Sequence, residues 1–343
     1  MIRCLLIVCF VVLNANVQAQ QSVRQNHMTN LLKPPNDADS TFIRRYTRED
    51  DIRLIYGGQG SNISYGTAKD GSALFSDALY NNTNDLAGFG LTYKFIDFDL
   101  TFSLRKVNIM EEERQNLSQF RFAYSYTMRK LAIRVYLSDA KGVIVEESKA
   151  ASQSDPDVHL FKFGAQVTYY FNYNRYSYRS ANFQNELQRK SAGSMLVRAE
   201  PFYRSLGMQD AIIPEDRLYG TQAGLEYVRT GGLMLMPGYG YNLTVREGRF
   251  FVSPILFLGP GFTINGYKAA DGKHSFLNIE WAGSFALNVG YNGVKAYATL
   301  RGAYDVAYFK LDPSYFTSSD VKVTLTVGWR FSHFENFIPT SLF

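Results

Sequence analysis

The sequence is poor in cysteine. Among its 343 residues only Cys4 and Cys9 occur, both inside an apolar run near the N-terminus. The rest of the chain can form no disulfide and offers no thiol nucleophile. Histidine is scarce as well. His27, His159, His274 and His333 are scattered, without the spacing of a metal centre. Beyond the first residues no apolar stretch approaches the length of about eighteen residues that a membrane-spanning helix needs. There is no strong charge of one sign. The net charge is +5, or +4 without Arg3, and no Lys/Arg cluster points to nucleic acid. Gly57, Gly58 and Gly60 are followed by no helical pattern, so they make a poor phosphate cradle. These absences leave no cofactor or metal to expect.

Aromatic residues, by contrast, are abundant: 15% of the chain, with 24 Tyr and 26 Phe. Met1-Ile2-Arg3, the apolar run Cys4 to Leu13 and the small-residue end Val17-Gln18-Ala19 read as a secretory signal peptide over residues 1–19. Residues 20–50 are polar and read as a periplasmic N-terminal tail. From there to residue 332 the dominant pattern has a period of two, the mark of strands. It is clearest where Phe161, Phe163, Ala165, Val167, Tyr169 and Phe171 alternate with Lys162, Gly164, Gln166, Thr168 and Tyr170. Twelve such segments can be drawn, near 52–65, 86–95, 98–106, 117–128, 130–138, 159–172, 191–205, 233–246, 249–264, 275–291, 294–309 and 321–332. An alternative makes 218–230 a strand and folds 191–205 inward, again giving twelve. Residues 333–343 remain as a C-terminal tail.

Opposite the apolar stripes stand Asp99, Arg105, Arg121, Arg134, Lys162, Glu280, Arg301, Asp305, Lys322 and Arg330. In a soluble barrel these charges face water. In a membrane barrel the stripe faces lipid and the charges face the lumen. Alternation alone does not separate the two. Stripe lengths of about 9–11 residues suit a lipid-crossing strand. Tight turns near 96, 129, 247 and 292 alternate with longer connections at 66–85, 106–117, 139–158, 265–275 and 310–320. The expected fold is therefore all-β: a transmembrane, antiparallel up-and-down β-barrel of twelve strands. An even count puts both ends of the barrel chain, and the tight turns, on the periplasmic side. Such a protein lies in the cell outer membrane, among lipid and lipopolysaccharide, and is inserted by the barrel-assembly machinery.

One segment breaks the pattern. Residues 174–190 are polar and rich in Tyr, Asn, Gln and Arg. Phe171-Asn172, Asn174, Tyr176-Ser177-Tyr178-Arg179, Asn182-Phe183-Gln184, Gln188 and Ser191-Ala192-Gly193-Ser194 resemble a β-barrel family called domain of unknown function 4421. Asp39-Ser40-Thr41-Phe42-Ile43 is similar to that family's start, with Phe42 where Tyr is usual. Pro237-Gly238-Tyr239 is similar as well. The resemblance runs from about Asp39 to Phe331. It implies an outer-membrane barrel and supplies no activity or catalytic residue.

Asn174, Tyr176, Ser177, Arg179, Phe183, Gln184, Gln188, Ser191 and Gly193 are thus expected to form a periplasmic plug, or a docking surface for a periplasmic or cell-surface partner. As a catalytic site the region is weak. Ser194 and His159 fall at opposite membrane faces, so their separation breaks that dyad. Ser194 with His333 is the pair left for a lipid-modifying enzyme of lipase or deacylase type. Glu111-Glu112-Glu113, Asp155 and Asp157 read as solvated loop charges. The leading expectation is a non-enzymatic barrel of structural or small-solute transport character, with the lumen charges forming either a filling network or a polar pathway.

Overall fold

The computed structural model describes residues 38–46, 50–67, 78–93, 96–104, 118–128, 130–148, 151–207, 226–311 and 314–331. Its elements are β1 (Ile43–Arg45), β2 (Asp50–Thr67), β3 (Ala78–Tyr93), β4 (Ile96–Ser103), β5 (Ser118–Thr127), β6 (Leu131–Ser148), β7 (Ala151–Tyr170), the short helix α1 (Tyr178–Asn182), β8 (Glu186–Gln188), β9 (Ala192–Gly207), β10 (Tyr227–Val245), β11 (Phe250–Ala269), β12 (Gly272–Asn292), β13 (Ala296–Leu311) and β14 (Ser314–Phe331). Twelve of the strands form one closed antiparallel barrel, each beside its neighbour in sequence. β7 pairs with β9 across the insert, and β14 closes on β2 from Ser314↔Thr67 to Phe331↔Asp50. Residues 192–207 are a wall strand, which rules out the threading that folds them inward.

Three expected loops are strand instead. β6 and β7 run to Ser148 and from Ala151, β11 and β12 turn at 269–272, and β13 and β14 turn at 311–314. Asp155 and Asp157 therefore sit in β7. The cause is visible in the sequence. The apolar stripe stops there while the hydrogen-bonded ladder continues, because a ladder needs no apolar side chains to satisfy its backbone. The contrast between short and long turns is accordingly weaker than the sequence suggests. β4 and β5 are shorter than the strands around them, and β3 pairs directly with β6 beyond their ends.

The ladders open locally at prolines, which lack an N–H. Leu235–Pro237 do not pair with Leu258–Pro260, Tyr241–Asn242 do not pair with Ser253–Pro254, and Ala165–Gln166 do not pair with Glu200–Pro201, yet the register on either side is unchanged. The chain runs straight through Gly259-Pro260-Gly261, where the sequence suggested a bend.

The apolar stripe faces outward. Leu54, Phe89, Leu256, Leu258, Phe262, Ile279, Trp281 and Leu300 are each more than half exposed, and Leu277 is 80% exposed. Asp51, Arg53, Gln59, Ser61, Asn84, Thr101, Ser125, Thr168, Arg198, Thr263, Glu280 and Thr324 are buried on the other face. Polar inside and apolar outside is the arrangement of a barrel solvated by lipid. Replacing Leu256 by Arg near the middle of β11 is expected to lower unfolding stability in lipid vesicles by about 2–4 kcal/mol. Thr263→Arg, on the inner face, should not follow the same dependence on bilayer thickness. Urea titration in bilayers of two thicknesses measures both.

Candidate functional site: the insert end of the lumen

The insert leaves the wall at Tyr170 and returns at Ala192, at the same end as the turns 93–96, 127–131, 245–250 and 292–296. It folds inside the barrel. Ser177 caps α1: its hydroxyl accepts from Ser180 N at 2.9 Å and donates to Glu186 at 2.6 Å. This is the role Ser fills at a helix start. Gln188 ties the segment to itself. Its Oε1 accepts from Ser177 N at 2.8 Å, and its Nε2 donates to the carbonyls of Arg175 at 2.6 Å and Lys190 at 2.8 Å.

Wall residues then grip it. Asn242 on β10 donates to Ser177 O at 3.0 Å and Gln188 Oε1 at 3.1 Å, and accepts from Ser253 at 2.8 Å. Asn292 on β12 donates to Glu186 O at 3.0 Å. Asn185 donates to Asp97 on β4 at 3.0 Å, and Arg301 on β13 donates to Asn182 at 3.2 Å. Arg330 on β14 donates to the carbonyls of Gln184 and Gly293 and to Asn292 Oδ1.

Apolar packing backs these bonds. Tyr176, Tyr178, Ala181 and Phe183 form one buried cluster with Tyr170, Leu196, Met234, Met236, Ile255 and Phe257. The rings of Tyr170 and Tyr178 stack at 5.6 Å. Tyr176 is fully buried, and that burial pushes its phenol well above the ordinary value. A Cβ at Gly240 would collide with the Tyr176 hydroxyl, and one at Gly248, where φ is +89°, would collide with the Gln188 carbonyl.

The N-terminal tail joins the same body. β1 pairs with β8, Ile43↔Gln188 to Arg45↔Glu186. Asp39 N donates to Asn174 O at 2.9 Å. Both the hydroxyl and the backbone N–H of Thr41 donate to the Asp39 carboxylate, which holds it below its usual range. The Phe42 ring lies between Arg175 at 5.1 Å and Lys190 at 5.5 Å. Tyr46 donates to Asn292 O at 3.0 Å under the Arg330 guanidinium. Burial raises its phenol to about 12.

Beyond the insert lies a cavity of about 300 Å³ inside the wall. Asp99, Arg121, Arg134, Lys162, Arg301, Asp305 and Lys322 line it, with Arg53, Glu200, Arg204 and Asp320. Some of these charges are paired. Arg53 meets Asp99 at 2.8 Å and Asp51 at 3.2 Å. Lys162 meets Asp320 at 2.6 Å, and Arg121 reaches it at 3.5 Å. Glu280, fully buried, meets Arg204 at 2.5 Å. Asp305 makes no ion pair among the described residues. On the far side Ile63, Leu160, Leu206, Val228 and Phe316 form a buried apolar layer towards the opposite rim.

Over residues 37–331 the sequence matches a protein family described as a domain of unknown function, DUF4421. The chain belongs to that family. No curated protein is similar to this DUF4421 chain in sequence. Among solved structures it is similar to the outer-membrane protease OmpT of Escherichia coli, at 9% identity over 83% of this chain and 98% of that one, with a TM-score of 0.40. It is also similar to the translocator domain of the autotransporter NalP from Neisseria meningitidis (12% identity, 94% and 99% covered, TM-score 0.32). A third is the toluene transporter TodX of P. putida (9% identity, 83% and 91% covered, TM-score 0.29). Likenesses this distant transfer no activity.

The nine insert residues singled out from the sequence meet in one body, with Ser191 accepting from Thr244 N at 3.0 Å and Gly193 O accepting from Asn172 at 2.8 Å. Arg330 belongs to the insert, not to the open lumen. Arg105 and His333 lie outside the described residues, as do His27 and Glu111–Glu113. Ser194 is 2% exposed, and its hydroxyl accepts from Asn172 N at 2.9 Å and donates to Met195 O at 2.7 Å. It fastens the insert's first residues to β9. His159, bonded to Asp139, pairs with Gly207. That is thirteen residues along β9 from Ser194, on the order of 40 Å at about 3.3 Å per residue. Among the described residues no group of three His, Asp or Glu side chains could hold a metal ion. Sequence reasoning missed Asn242 and Asn292, the inward-facing asparagines that grip the insert. Their polarity beside Tyr241 and Tyr291 was the available signal.

Removing the Arg330 bonds is expected to loosen the insert without opening the wall. Arg330→Gln should cost about 2–3 kcal/mol and make the peptide bonds of 174–190 sensitive to added protease, while the strands stay protected. Limited proteolysis with mass mapping reads this directly.

Proposed function

We propose that this DUF4421 barrel is a non-enzymatic outer-membrane protein of structural or small-solute transport character, whose insert and tail close the periplasmic mouth at rest. One observation carries the reading: residues 171–190 fold within the wall and bond to β4, β10, β12, β13 and β14. A segment held from so many sides fills the mouth and leaves little of itself to dock a partner. The even strand number and the expected signal peptide support a periplasmic position for this end. The exposed aromatic and aliphatic exterior supports lipid and lipopolysaccharide as neighbours, and the barrel-assembly machinery as the route of insertion. The commitment of the Ser194 hydroxyl to backbone groups weighs against a lipase or deacylase reading.

In planar bilayers the wild type is expected to give no steady unitary conductance. Replacing 174–190 by a short Gly/Ser turn should produce it. Gly240→Leu, whose side chain takes the place of Tyr176, should do the same without shortening the chain. Steady open steps from the intact protein would refute closure at rest. Recovery of the protein in the soluble periplasmic fraction, without heat-modifiable gel mobility, would refute the membrane assignment itself.

A further inference from the structure

We infer that the lumen contains an oxyanion-binding site built by Arg134, Arg301 and Lys322, with Asn288 as a neutral donor. The four side chains line the same cavity. β6, which carries Arg134, stands five strands around the wall from β14, which carries Lys322. Two cations therefore reach in from nearly opposite sides. Arg301 and Asn288 are directly paired across β13 and β12.

The other cavity cations are engaged: Arg53 with Asp99, Arg121 and Lys162 with Asp320, and Arg204 with Glu280. Arg134, Arg301 and Lys322 make no ion pair among the described residues. Arg301 bonds only the neutral amide of Asn182 there. Arg134 acts electrostatically on both of its companions. Three carboxylates stand near them, and Asp99, which Arg53 also contacts, acts on all three cations. Asp305 is within electrostatic reach of Arg301. Glu200 already accepts from Tyr136 at 2.7 Å and Gln166 at 3.0 Å. Among the residues that line the cavity, seven cations face four carboxylates.

Asn288 supplies an independent sign. It is 2% exposed, and its amide Nδ2 has no hydrogen-bond partner. A buried donor without a partner, on a residue that lines a polar cavity, calls for an acceptor. A cavity lined with excess positive charge, inside low-dielectric walls, concentrates anions. Two guanidinium forks suit the paired oxygens of a phosphate group better than a spherical halide.

A volume of about 300 Å³ corresponds to about ten waters. That admits orthophosphate or a small sugar phosphate and leaves no room for a whole lipid. The inference is independent of whether the lumen conducts, since a bound anion can neutralise a closed chamber as readily as it can pass through an open one.

The test uses the full chain refolded in detergent in the presence of orthophosphate, then equilibrium dialysis with labelled orthophosphate at constant ionic strength. Saturable binding of one phosphate per barrel is expected, with chloride a poor competitor. Competition by glucose 6-phosphate assigns small phosphate esters to the site; its failure narrows the ligand to the free ion. Arg301→Gln should weaken binding roughly tenfold, and the Arg134→Gln/Lys322→Gln pair should abolish it. Lys273→Gln, on the outer part of β12, should leave it unchanged. Heat-modifiable mobility confirms that each variant is folded. Arg301→Lys keeps the charge and loses the fork, and together with Asn288→Ala it keeps the test decisive if charge removal blocks folding. Absence of saturable binding by the wild type overturns the assignment. So does unchanged affinity in both folded variants, Arg301→Lys and Asn288→Ala.

Discussion

The structure depends on the ladder between β14 and β2. It runs without a gap from Ser314↔Thr67 to Phe331↔Asp50 and turns an open sheet into a cylinder without edges. In lipid an unpaired backbone N–H or C=O has no water to turn to, and each costs several kcal/mol. Once every strand has two neighbours, the exterior can be as apolar as Leu277 and Phe262 make it. The prolines show how much departure is tolerated. Pro201, Pro237 and Pro260 each open a few rungs and leave the register intact.

Closure creates the second problem, which is what to put inside. Eight strands give an interior that side chains alone can fill; twelve give more room than that. The chain meets this from two directions. At one end its own residues 38–46 and 171–190 fold into the mouth around Tyr176 and Phe183. At the other, Ile63, Leu160, Leu206, Val228 and Phe316 line the lumen with apolar side chains. What remains is a chamber between them, bounded by charge. Its paired members, such as Arg204 with Glu280, are compensated where they stand, as buried charges must be.

Much of this was legible in the sequence. The wall strands were, because alternation such as Phe161–Lys162–Phe163 fixes which side of a strand meets lipid, and a slip of one residue would reverse every side chain. The ends of the strands were not. Residues 151–155 and 317–320 pair in the ladder, yet their sequence carries no apolar alternation to mark them. The polar insert stood out by composition, and its strand parity set its end of the barrel. Its interior position could not be read, because it rests on contacts across long stretches of sequence: Asn242 to Ser177, Arg330 to Gln184, Asn185 to Asp97. The same is true of the tail. Ile43-Arg44-Arg45 looks like ordinary charged linker until β8 provides its partner.

Arg330 sits one residue from the end of the last strand and grips Gln184 in the middle of the insert. Its strand position faces the start of β2, with Asp51 opposite Arg330 and Asp50 opposite Phe331. The tail that enters the mouth precedes β2 in the chain. The insert and the tail are therefore held by the same two strands whose pairing closes the sheet. Sealing the wall and fastening its contents fall to one strand, β14.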